Sequence, residues 1–192
     1  MTEIITYSYR PRPTGPEMAF RLDPEALQVT SARGVERIPY SQIAAIRLAV
    51  TPSNWSPHVY LAKLHLADGR ALKLSNLSWR GPLATERLDG PYSIFIAELL
   101  RRASDANPSL SCRAGTPRPF WLISIAIGAA LAVAFLSLLS VAASQGGWTA
   151  ALLVGMLAIP MAWVVRAHVW SNRPRAFSPD APPGDVLPPG AR

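Results

Sequence analysis

The sequence predicts an α+β membrane protein: a small antiparallel β domain closed by one C-terminal helix, followed by a transmembrane α-helical hairpin. Three observations carry this reading. Residues 120–143 and 148–165 are long and uncharged, short segments of alternating apolar residues precede them, and one amphipathic stretch stands between the two regions.

The hairpin leaves least choice of environment. At the helical rise, Phe120 to Ala143 spans roughly 36 Å and Trp148 to Val165 roughly 27 Å, each sufficient for a bilayer core. A buried helix pair in a soluble protein normally keeps a polar stripe, and neither stretch has one. The break Ser144-Gln145-Gly146-Gly147 joins them. The hairpin is therefore placed at 120–166, with helices at 120–143 and 148–166. An extended N-terminal segment (1–16), the β domain (17–106) and a linker (107–119) precede it, and a proline-rich tail (167–192) follows.

Taken in order, Pro11, Pro13, Gly15 and Pro16 make the first segment an extended lead-in. Strands are expected over Met18–Leu22, Leu27–Thr30 and Val35–Tyr40, with turns at Asp23-Pro24-Glu25 and Ala32-Arg33-Gly34. In the next strand, Ile43 to Val50, period two puts Ala44, Ile46, Leu48 and Val50 on one face and Arg47 on the other. The segment 51–57 is rich in turn formers and exposes Trp55. Tyr60, Ala62, Leu64 and Leu66 alternate with Lys63 and His65. The Asp68-Gly69 turn then returns the chain through Ala71–Leu77 with Leu72 and Leu74 inward. A helix is expected from Tyr92 to Ser104, with an apolar face of Phe95, Ile96, Leu99 and Leu100, and with Glu98 placed to pair with Arg101 or Arg102.

This order resembles the bacterial pleckstrin-homology-like (PH-like) domains: strands in a meander, the run Ile38-Pro39-Tyr40-Ser41-Gln42-Ile43 leading into a strand, and a final capping helix. The resemblance covers roughly Met18 to Ser104. It implies a small antiparallel β-barrel or sandwich that serves binding or assembly, carried on a membrane hairpin in the bacterial inner membrane. Phosphoinositide-binding members of the wider fold gather Lys and Arg in the first strand-to-strand loop. Here that loop is read as Asp23-Pro24-Glu25, which repels phosphate.

Catalytic chemistry finds no set of residues to use. His58, His65 and His168 are far apart, and Cys112 is the only cysteine, so neither a metal cluster nor an intrachain disulfide is expected. Glu86 and Asp89 are spaced for acid–base work, but nothing near them in sequence would raise a carboxyl pKa. No glycine-rich phosphate loop follows a strand. No enzyme activity and no cofactor are expected. Residues 120–143 and 148–165 carry no ionisable side chain, so two such helices conduct nothing alone. Gly128 with Ala132, and Ala151 with Gly155, offer small faces for close helix approach within the hairpin or between copies of the chain. Pro160 is expected to kink the second helix, and Trp121, Trp148, Trp163 and Trp170 to mark the interfaces.

The net charge of +7 comprises fifteen Lys and Arg against ten Asp and Glu before the hairpin, and four against two after it. The basic residues are scattered rather than clustered on one stripe, which argues against nucleic acid. Arg113 and Arg118 precede the hairpin and Arg166, Arg173 and Arg175 follow it, with no charge between the helices, so both termini are expected in the cytoplasm. The first residues lack the apolar core of a cleavable leader. Arg47, Lys63 and Lys73 on outward strand faces, with Trp79 and Arg80 nearby, form the candidate interaction surface. The expected function is a membrane-anchored scaffold that binds a protein partner. A weak lipid sensor and an accessory subunit of a larger membrane enzyme or transporter are the alternatives. In the tail, Phe177, Val186 and Leu187 stand among six prolines, more apolar surface than a purely solvated end requires.

Overall fold

Strand formation begins earlier than the prolines suggest. The computed structural model describes residues 4–51 and 58–188, leaving the Trp55 turn outside the described residues, and the side chain of His168 is likewise not described. Within the segment read as a lead-in, β1 (Ile5–Tyr9) pairs antiparallel with β2 (Met18–Leu22), from Ile5↔Leu22 to Tyr9↔Met18. The cause is the alternation Ile5-x-Tyr7-x-Tyr9, which puts two large rings on one pleat face; both are buried. The prolines begin only at Pro11 and lie in the connection to β2. With β3 (Ala26–Ser31) and β4 (Gly34–Pro39), these strands form a four-stranded meander.

A 3-10 turn, Tyr40–Gln42, leads to a second meander: β5 (Ile43–Thr51), β6 (Val59–Leu66) and β7 (Ala71–Ser75). Ala44 departs from its expected place. The register shifts between Ile43 and Ala45, a bulge that turns Ala44 to solvent and lets both Ile43 and Ile46 reach the core. A short ribbon of β8 (Leu77–Trp79) and β9 (Thr85–Arg87) follows.

The helix α1 (Asp89–Ala106) begins three residues before Tyr92, because Asp89 lies in its first turn and is held there by Asn76. Asn76 is itself buried, with its side-chain oxygen accepting the Tyr60 N–H at 2.8 Å. The helix buries Tyr92, Phe95, Ile96, Leu99, Leu100 and Ala103, one stripe at helical spacing. The Phe95 ring sits 5.5 Å from that of Tyr7 and 6.3 Å from that of Phe20, so the helix covers the core of the first sheet. Arg102, on the margin of this face, is buried, and donates to Glu98 at 2.6 Å and to the carbonyls of Leu22 and Asp23 at 3.0 Å each. The closed barrel is not observed: both main sheets remain open among the described residues. The β1 and β7 edges are joined by side chains, the Tyr7 hydroxyl donating to the Ser75 carbonyl and the Tyr9 hydroxyl to the Lys73 carbonyl.

The expected linker 107–119 contains another strand. β10 (Ser111–Ala114) lies parallel to β5, pairing Cys112 with Ile46 and Arg113 with Arg47. Two long apolar helices follow, α2 (Arg118–Ser144) and α3 (Trp148–Ser171), both long and apolar enough to cross a membrane. α3 includes Pro160 and continues past the expected end at 166. The chain then returns to the sheet it left. β11 (Arg175–Ala176) pairs with β10, giving the order β11-β10-β5-β6-β7, and Val186 and Leu187 of the tail enter the domain core. The tail's buried residues are therefore part of the β domain. Gly115 makes the close approach at the hairpin base possible: its φ is +80°, and a Cβ there would fall 2.6 Å from the Asn172 carbonyl oxygen.

Candidate functional site

Three of the five residues of the expected surface come together. In the paired strands, Arg47 is opposite Lys63 and Lys63 is opposite Lys73, while on the other side Arg47 is opposite Arg113 of β10. Four cations thus stand in one row across four hydrogen-bonded strands, spanning roughly 14 Å at the usual strand spacing. The row lies on the face away from the core, because Ile46, Leu48, Ala62, Leu64, Leu74, Cys112 and Ala114 occupy the alternate positions and are buried. Its flanks are small on β5, β7 and β10, with Ala45, Ala49, Ser75 and Ser111, while on β6 Leu61 and His65 stand on either side of Lys63.

Electrostatically the row is unrelieved. No carboxylate forms an ion pair with any of the four among the described residues; the acids that do pair, such as Asp23, Glu86 and Glu98, pair with other arginines. Like charges directly opposite one another on neighbouring strands are destabilising. Burial and the neighbouring Arg113 lower the pKa of Arg47, whose guanidinium donates to the Gly115 carbonyl at 3.1 Å, at the base of the hairpin. Burial, then Lys63 and Arg47, lower the pKa of His65 in the next row, which keeps it neutral at pH 7.

Trp79 and Arg80 lie elsewhere. The Trp79 N–H donates to the Arg10 carbonyl at 3.0 Å, which places this residue beside the turn between β1 and β2. Arg80 is ion-paired with Glu86. That turn also corrects the reading of the first strand-to-strand loop: with β1 in place, the loop is 10–17, carrying Arg10 and Arg12, and Asp23-Pro24-Glu25 is the second. The acidic turn is occupied internally, with Asp23 accepting from Arg21 at 2.8 Å.

Other reactive groups are tied up. Asp89 pairs with Arg87 at 2.8 Å, and burial pushes the Cys112 thiol up to about 11, well out of the nucleophilic range. Among the described residues no group of three metal-ligating side chains comes together. Sequence reasoning missed Arg113 as a member of the row. The alternation Ser111-Cys112-Arg113-Ala114 is visible in the chain, but its parallel pairing with a strand more than sixty residues away is not.

Comparison with protein families, curated proteins and solved structures returned no match for this chain.

Proposed function

We propose that this protein is a non-enzymatic interaction module anchored in the bacterial inner membrane, with both termini cytoplasmic, and that its basic row docks an acidic segment of a protein partner. The observation that carries the proposal is the row itself: Arg113, Arg47, Lys63 and Lys73 in register, without carboxylate partners among the described residues, on the sheet face away from the core. A row that costs stability in the isolated chain is relieved by an anionic partner. The order of a four-stranded meander, a three-stranded meander and a covering helix supports the PH-like resemblance. The arginines at the hairpin base and the uncharged turn 144–147 support the orientation.

The test uses the full chain in native membranes with a photo-crosslinker at Ala49, beside the row. An adduct with an acidic protein is expected, and it should disappear in Lys63→Glu/Lys73→Glu. An adduct that persists at full yield in that variant would remove the row from the interface. A second reading, lipid sensing, is favoured by Arg10 and Arg12 beside Trp79. For that reading, a spin label at Thr14 should become immobilised in nanodiscs of anionic lipid and stay free in zwitterionic ones.

A further inference from the structure

The hairpin has a surface feature that anchoring alone does not require. Between α2 and α3 runs an apolar groove of about 540 Å³, inside the range of about 300–1,000 Å³ typical of ligand clefts. Its walls include Ala129 and Ala132 on one helix and Ala158 and Ala162 on the other, which leave space where larger side chains would close the seam. Gly128 sets the helix approach: a Cβ there would lie 2.7 Å from Cγ1 of Val165.

At the end of the hairpin nearest the sheet the chemistry changes. Arg166 lines the groove there, and a second cavity of about 260 Å³ is bounded by Arg118, Trp121, Leu122, Arg173 and Pro174. Residues 118, 122, 125, 129 and 132 recur at spacings of three and four, so cavity and groove occupy one face of α2. Neither Arg118 nor Arg173 forms an ion pair with a carboxylate among the described residues, while the nearby Arg175 is paired with Asp185. The mouth is held in shape by its surroundings. Trp121 Nε1 donates to the Val169 carbonyl at 3.0 Å, and the Thr116 N–H donates to the Asn172 carbonyl at 3.0 Å.

We propose that this face binds one anionic phospholipid, its phosphate between Arg118 and Arg173 and one acyl chain in the groove. Two guanidinium groups match a phosphate by charge and by forked donor geometry. Charge complementarity at the mouth and an apolar trough continuing into the bilayer call for one ligand with both characters. Free phosphate would satisfy only the mouth, and a partner's transmembrane helix only the groove.

The experiment is native mass spectrometry of the full chain, released from detergent after incubation with phosphatidylglycerol, with phosphatidylcholine, or with inorganic phosphate. The wild type should retain one phosphatidylglycerol in preference to phosphatidylcholine, whose choline cation offsets the phosphate charge offered to the two guanidinium groups. Arg118→Gln/Arg173→Gln should lose that preference, and Ala132→Leu/Ala158→Leu should reduce retention of both lipids while the fold, read by circular dichroism, is unchanged. Arg175→Gln, outside the cavity, should behave as wild type. The proposal is overturned if the double arginine variant keeps the preference, if Arg175→Gln loses it equally, if the filled groove binds as before, or if inorganic phosphate competes the lipid away.

Discussion

Lys63→Glu should stabilise the protein while breaking the row proposed as its docking surface. Lys63 sits between Arg47 and Lys73 in the row, and its side chain is partly buried. Directly opposed side chains put the charged groups roughly 5–6 Å apart. At the dielectric of water each repulsion is about 0.7 kcal/mol, and a Debye length of about 8 Å reduces it by about half. Reversing one sign converts two repulsions into two attractions, a swing of about 1 to 1.5 kcal/mol. For a domain of this size that is a rise in midpoint of about 3–6 °C. Thermal unfolding of the full chain in one mild detergent, at low and high salt, measures it. The gain should be largest at low salt and fade as salt is added. A loss of stability at low salt, or a gain indifferent to salt, would show that the four charges do not repel one another as the register requires.

Leu187→Ala should cost about 2–5 kcal/mol, as for a buried core leucine, and Leu110→Ala, at a half-buried position, distinctly less; equal effects in chemical denaturation would detach the tail from the core. Tyr92→Phe should leave stability unchanged or slightly raised, because the buried Tyr92 hydroxyl has no hydrogen-bond partner among the described residues; a substantial loss in the same assay would point to a partner for it. Glu98 is held down to about 2 from its ordinary 4.5, first by its hydrogen bond from Arg101 and then by that from Arg102. Because the folded value is depressed, its contribution is complete above about pH 4.5 and is lost as pH falls toward 2. Glu98→Gln should therefore flatten the acid limb of the stability profile, and an unchanged limb would count against the pairing.

How much of the candidate site could be seen in advance follows from the range of the interactions involved. Alternation along β5, β6 and β7 is local, and it was enough to turn Arg47, Lys63 and Lys73 outward. Whether outward residues on three strands align is decided by register. The turn at Asp68-Gly69 and the bulge at Ala44 fix that register within the meander. Arg113 joins the row only because β10 inserts beside β5, a parallel pairing across the whole of α1.

The two apolar helices were legible without any tertiary information, because an uncharged stretch of that length satisfies its own backbone hydrogen bonds as a helix. The β6–β7 hairpin and α1 were legible for a related reason: turn chemistry and helical periodicity act over a few residues. What tertiary structure alone decided is where the marginal segments go. Ile5 to Tyr9 is too short to commit to a strand until β2 supplies hydrogen bonds and Phe95 supplies a surface for its rings. Arg175-Ala176 and Val186-Leu187 have no local reason for order among six prolines. They are placed because α2 and α3 return the chain to the edge of the sheet it left, where β10 offers an open edge and the core offers apolar cover. Non-local pairing of this kind depends on chain ends brought together in space, and no pattern within either segment encodes it.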